Sequence, residues 1–133
     1  MHATIMIGLA AVTAQAIAQP VAAQEQTKET AIALPGEGRS VSFEGAIRGY
    51  GAADYVFRAP AGRALRVELE TASKSTYFNI IQDGKDEALF VGSLGGNLFD
   101  AALPEQGTYR VKVYQMRNAA RKGATAHYEL RVR

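Results

Sequence analysis

The sequence predicts an all-β protein, a single antiparallel β-sandwich of about eight short strands spanning residues 39–133. Three observations carry that expectation. Apolar and polar residues alternate with period two, as they do on strands with one face on a core and the other in water. Turn signals punctuate the alternation: "PGEG", "GYGAAD", "APAG", "QDGKDE", "GSLGG" and "LPEQG". Glycine there supplies positive φ, and proline fixes φ where no ladder donor is needed. Beyond the first 23 residues, no long stretch has helical periodicity.

The elements follow in chain order. Residues 1–23, "MHATIMIGLAAVTAQAIAQPVAA", hold no Asp, Glu, Lys or Arg, and run apolar from Ile5 to Ala18. Val21 and Ala23 supply small residues at a cleavage position, so the segment reads as a secretory signal cut near Ala23, although its n-region carries only His2. The run is broken by Thr13, Gln15 and Gln19 and is short for a bilayer span, so stable membrane insertion is not expected. Residues 24–38 read as an N-terminal linker that becomes an edge segment where it turns apolar at Ala31–Leu34.

Strands are expected where Val41, Phe43 and Ile47 alternate with polar or small residues, at Asp54–Arg58, and where Leu65, Val67 and Leu69 alternate with Arg66, Glu68 and Glu70. Tyr77–Ile81 is more continuously apolar, like a central strand. Short strands are expected at Ala88–Val91 and Asn97–Leu103, and the clearest at Tyr109–Val113 and Tyr128–Val132.

The charge balance limits the function classes. The 133 residues carry 15 Lys and Arg against 13 Asp and Glu, all after the leader, for a net charge of +2. From Arg110 to the end there are seven basic residues and one acid, Glu129. Such a patch suits an acidic protein surface, nucleic acid or an anionic membrane, and export makes nucleic acid the least attractive. There is no cysteine, which removes thiol catalysis, thiolate metal sites and a lipid-anchored thiol.

No catalytic constellation is evident. His127 is the one histidine after the leader, and alternation places it with Glu129 and Arg131 on a solvent face. No "GxSxG" elbow occurs. "QDGKDE" places Asp83, Asp86 and Glu87 near a glycine but lacks the ligand spacing of a calcium loop, and reads as a polar hairpin turn. "GSLGG" is not followed by Lys-Ser/Thr and is no phosphate loop. Neither cofactor nor metal is expected. The residues describe a binding domain.

Two segments stand out. Tyr50 lies between Gly49 and Gly51 in a turn linking two strands, where it either caps the core or projects toward a partner. In "RNAAR", a single helical turn places Arg117 and Arg121 on one face. Their like charges repel unless an anion faces them, and each guanidinium fork is shaped to grip a carboxylate. The spacing also fits a solvated basic loop.

"GAIRGYGAADYVFRAPAGRALRVEL" together with "LPEQGTYRVKVYQMRNAARKGATAHYELRV" resembles the periplasmic inhibitors of g-type (goose-type) lysozyme of Gram-negative bacteria, from about Ser42 to Arg133. "LPxxGxYxxxV" (Leu103–Val113) and "RGYxxxDYxFxAxxG" (Arg48–Gly62) also recur in bacterial modules of the pre-peptidase C-terminal type, so they imply fold. "RNxARK" (Arg117–Lys122) joined to the Gly-Tyr turn points to the inhibitors. The resemblance implies a periplasmic, non-enzymatic protein that binds g-type lysozyme and blocks its cleft, protecting peptidoglycan. It implies Tyr50, Arg117 and Arg121 as lysozyme-binding residues, with Lys122 matching the same motif.

Residues 72–100 match the family loosely, and Gly51–Asp54 is smaller and more apolar than expected beside a recognition tyrosine. The alternative reading is a non-inhibitory carbohydrate-, peptidoglycan- or envelope-binding sandwich. Oligomeric state is left open.

Overall fold

The alternating residues sort onto two facing sheets. The computed structural model describes residues 26–133, so the leader read at residues 1–23 lies outside the described residues. The elements are β1 (Thr27–Ala31), β2 (Val41–Arg48), β3 (Ala52–Ala59), β4 (Ala64–Thr71), β5 (Thr76–Gln82), β6 (Phe90–Val91), α1 (Gly92–Gly95), β7 (Leu98–Ala102), β8 (Gly107–Gln115), α2 (Arg117–Arg121) and β9 (Thr125–Val132). One sheet has the order β1-β3-β8-β5-β6 and the other β2-β9-β4-β7.

The eight expected strands are all present, and a ninth, β1, lies in the stretch read as linker and edge segment. β1 is also the exception to antiparallel pairing: it runs parallel to β3, with Thr27 opposite Ala52 and Ala31 opposite Val56. Ile32 extends that ladder, its amide donating to the Val56 carbonyl at 2.8 Å, and Ile32 and Leu34 pack against the core. Strand β5 lies between β8 and the two-residue β6, so it is flanked on both sides but near the margin of its sheet.

The core is the set of inward positions that the alternation marks. Tyr55 and Phe57 of β3, Phe78 and Ile80 of β5, and Tyr109, Val111 and Val113 of β8 meet Leu65, Val67 and Leu69 of β4 and Tyr128, Leu130 and Val132 of β9. Between the sheets, the Tyr55 and Tyr128 hydroxyls hydrogen-bond at 2.7 Å. Burial, and then that bond, push the Tyr128 phenol well above the ordinary tyrosine range. Gly45 of β2 makes room for this ring: a Cβ there would lie 2.4 Å from the Tyr128 hydroxyl.

"LPEQGTY" closes the opposite end. Leu103 is buried, its amide donates to the Arg63 carbonyl at 2.9 Å, and the Tyr109 hydroxyl donates to the Glu105 carbonyl at 2.5 Å. That motif serves the fold.

The connections alternate between the two ends. Segments 32–40, 60–63, 83–89 and 103–106 lie at one end; segments 49–51, 72–75, 92–97 and 116–124 lie at the other. Register fixes this placement, because Arg48 opposes Thr125, Thr71 opposes Tyr128 and Thr76 opposes Gln115. Asn97 joins them, accepting from the Leu69 amide at 2.9 Å and donating to the Thr76 carbonyl at 3.4 Å.

Candidate functional site

The two segments singled out in the sequence meet at the second of these ends. Residues 49–51 form the tight connection from β2 to β3, closed by the Gly51 amide donating to the Arg48 carbonyl at 2.9 Å. Gly49 has φ +57°, a left-handed conformation that a side chain disfavours. Gly51 is buried, and a Cβ on it would approach the Arg48 carbonyl oxygen to 2.9 Å. The two glycines therefore hold a turn too tight for other residues and leave Tyr50 at its tip. Tyr50 is 45% exposed at this end of the domain. Among the described residues it is the one exposed aromatic.

Residues 116–124 carry β8 into β9 through the single turn α2. Ala120 donates to the Met116 carbonyl at 2.9 Å, and Gly123, at φ +67°, ends the turn as a left-handed C-terminal glycine does. Ala120 is buried, and its carbonyl lies 3.5 Å from where a Cβ on Gly49 would stand. Small residues thus let the helical turn rest on the Gly-Tyr connection. Arg117 and Arg121, one turn apart, are both exposed, as is Lys122.

A residue that the sequence reading did not select binds the halves together. Gln115, the last residue of β8, is 7% exposed, and its Nε2 donates to the Ala124 carbonyl at 2.7 Å and to the Gly49 carbonyl at 3.3 Å. The Gly49 amide donates to the same Ala124 carbonyl at 2.9 Å. Gln115 follows Tyr109, Val111 and Val113 on the inward phase of its strand. A polar side chain on a core-facing phase requires buried partners, and that was the available signal.

The fold also redistributes the C-terminal basic run, which does not act as one patch. Arg110 is committed to Asp54 (2.8 Å) and Asp83 (3.0 Å), and Lys112 lies 3.8 Å from Asp54. The hydrogen bonds to Asp83 and then Asp54 hold the Arg110 guanidinium even more firmly protonated than usual. Arg131 pairs with Glu129 at 3.1 Å. Arg133 lies at the other end, exchanging backbone hydrogen bonds with Arg66. Arg117, Arg121 and Lys122 remain, with no ion pair among the described residues. All three face solvent, and a carboxylate set against Arg117 and Arg121, four positions apart, would relieve their like-charge repulsion.

His127 is exposed, as alternation places it. Asp83 of the "QDGKDE" turn pairs with Arg110. "GSLGG", read as a turn, contains α1. Tyr55, Tyr109 and Tyr128 are buried in the core. Tyr77 and Tyr114 are half-buried, their hydroxyls donating to the Lys74 carbonyl at 3.2 Å and to Asn79 Oδ1 at 3.0 Å.

A curated relative, the inhibitor of g-type lysozyme of Escherichia coli, is 30% identical over 94 residues, covering 68% of this chain and 69% of its own length. The chain belongs to the family of g-type lysozyme inhibitors. The crystal structure of Aeromonas hydrophila PliG, a periplasmic inhibitor of g-type lysozyme, superposes with a TM-score of 0.66 at 30% identity, over 80% of this chain and 96% of that one. Salmonella Typhimurium PliG gives 0.61 at 24% identity, over 80% and 96%. The pre-peptidase C-terminal domain of a Bacillus anthracis collagenase gives 0.60 at 18% identity, over 80% and 96%, and shares the fold alone. No family model matches the chain. In this chain, the Gly-Tyr turn and the "RNAAR" turn are adjacent surface features of one domain end.

Proposed function

We propose that this protein is a periplasmic inhibitor that binds g-type lysozyme and blocks its substrate cleft. The observation that carries the reading is the convergence of Tyr50 with Arg117, Arg121 and Lys122, all exposed and the cations unpaired among the described residues, on a fold whose relatives are inhibitors of that enzyme. Glycoside hydrolysis relies on carboxyl groups flanking the scissile bond. Guanidinium forks entering such a cleft meet carboxylates where water is partly excluded, and charge-assisted bidentate hydrogen bonds are strongest there. Tyr50 adds apolar area and a hydroxyl beside them. Inhibition of this kind needs occupancy and no chemistry, so the protein acts as a ligand rather than as an enzyme.

The leader at residues 1–23, cleaved near Ala23, delivers the domain to the periplasm in this reading. The deciding experiment is cell-wall lysis by a g-type lysozyme, with c-type and i-type enzymes in parallel, titrated with the domain starting at Gln24. Dose-dependent loss of the g-type activity alone is expected. No effect on any of the three would return the protein to the non-inhibitory binding modules.

A further inference from the structure

The site end holds two more connections, in the part of the chain that matches the family loosely. Segment 72–75, between β4 and β5, carries Lys74 and is built rigidly. The Ser73 amide donates to Thr71 Oγ1 at 3.2 Å, the Ser75 amide to Ser73 Oγ at 3.2 Å, and Thr76 Oγ1 to the same Ser73 oxygen at 2.8 Å. The Met116 amide, just before α2, donates to the Ser75 carbonyl at 2.7 Å. Lys74 therefore stands in a fixed loop joined directly to the arginine-bearing segment, and it too has no ion pair among the described residues.

Segment 92–97 holds Leu94, 88% exposed, the most exposed of the large apolar side chains described. The turn that carries it is clamped to the sheet. A Cβ on Gly92 would come within 2.3 Å of the Phe78 carbonyl oxygen, and one on Gly95 within 2.6 Å of the Phe90 ring. The Gly96 amide closes the turn on the Gly92 carbonyl at 2.7 Å. A side chain at either glycine would collide with the sheet, and the leucine between them is left in solvent.

Charge separates the two ends. The four connections at the site end contain Lys74, Arg117, Arg121 and Lys122 and no Asp or Glu. Those at the other end contain Glu37, Asp83, Asp86, Glu87 and Glu105 against Arg39, Arg63 and Lys85.

We infer that the lysozyme-binding surface spans all four connections, with Lys74 widening its basic field and Leu94 acting as an apolar anchor on the enzyme surface beside the acidic cleft. The inference rests on the reading that this end binds g-type lysozyme. Its occupant follows from continuity with the Tyr50–Arg121 surface and from the four connections carrying cations and no Asp or Glu. A leucine on a clamped backbone turn spares the cost of ordering that backbone on binding, and its buried area slows dissociation. A cation at the margin of the contact acts mainly on association.

The test is binding kinetics of the purified protein and its variants on a g-type lysozyme. Leu94→Ala is expected to weaken binding by about tenfold, mostly through faster dissociation. Lys74→Glu is expected to slow association by about threefold or more at low salt and to approach the unmodified protein at high salt. Leu89→Ala and Arg58→Glu, which make the same kinds of change outside the site end, should each stay within about twofold. If Arg121→Ala weakens binding while Leu94→Ala and Lys74→Glu do not, this inference falls and the functional reading stands. An equal effect of Arg58→Glu would assign the Lys74 result to net charge and remove Lys74 from the surface. No binding by the unmodified protein removes both readings.

Discussion

The side-chain amide of Gln115 donates to the carbonyl of Gly49 at 3.3 Å across 66 positions of sequence, and so ties the tyrosine turn to the arginine turn. Its second bond, to Ala124 at 2.7 Å, makes it a buried staple under the candidate site.

Gln115→Leu should therefore cost about 1–3 kcal/mol of stability, because the Gly49 carbonyl loses this donor and the Ala124 carbonyl keeps only the Gly49 amide. Inhibition should fall as well, because the turn carrying Tyr50 is no longer held against α2. Denaturant midpoints and inhibition titrations on the same samples check both effects. Gln115→Glu, which replaces the donor by an acceptor, should be worse than Gln115→Leu on both counts.

Arg121→Ala and Arg117→Ala should leave folding stability within about 0.5 kcal/mol, since both side chains are exposed and unpaired among the described residues. Inhibition should weaken by about 2–5 kcal/mol for the arginine that enters the cleft. Arg121→Lys keeps the charge and loses the planar fork, so it should recover only part of the loss. Unchanged inhibition by both alanine variants would take this loop out of the mechanism.

Gly45→Ala places a methyl group 2.4 Å from the Tyr128 hydroxyl and 2.6 Å from the ring carbon that bears it. The expected cost is about 1–3 kcal/mol, the range for overpacking a filled core. Tyr128→Phe in the same chain should relieve part of that cost, because it removes the nearest atom. A double-mutant cycle by chemical denaturation would expose the coupling.

Alkaline pH should destabilise the fold through Tyr128. Its phenol ionises in the unfolded chain near the usual value of about 10, while burial and the Tyr55 hydroxyl keep it protonated in the native state to higher pH. Above about pH 10 the unfolded state thus holds fewer protons than the native one, and stability falls by up to about 1.4 kcal/mol per pH unit. The contribution is complete below that value and is lost as pH rises toward the folded-state value. Tyr128→Phe should flatten this limb when denaturant midpoints at about pH 8 and about pH 11 are compared.

The sandwich was legible because its inward positions are nearly all apolar. Leu65, Val67 and Leu69, or Tyr128, Leu130 and Val132, leave one face that can turn to the core. β1 was harder, since "TKETA" is polar and mostly exposed, and its pairing is set by β3 rather than by its own pattern. Tyr50, Arg117 and Arg121 were found as unusual local chemistry. Their adjacency was not legible, because it depends on the register of β2 on β9, with Arg48 opposite Thr125. Leu94 was masked by its glycines, which read as a turn whichever way the leucine points.

The four connections at the site end arise from strands whose inward residues are fixed by the core, yet the tips touch that core mainly through small residues such as Gly51, Gly92 and Ala120. This is the geometry of a display scaffold. Lys74 and Leu94, exposed in segments 72–75 and 92–97, are free to be exchanged with little loss of folding, while the Gly-Tyr and "RNAAR" tips keep their mutual placement through Gln115. On the proposed reading, changing Lys74 and Leu94 within that frame is the route to a different lysozyme.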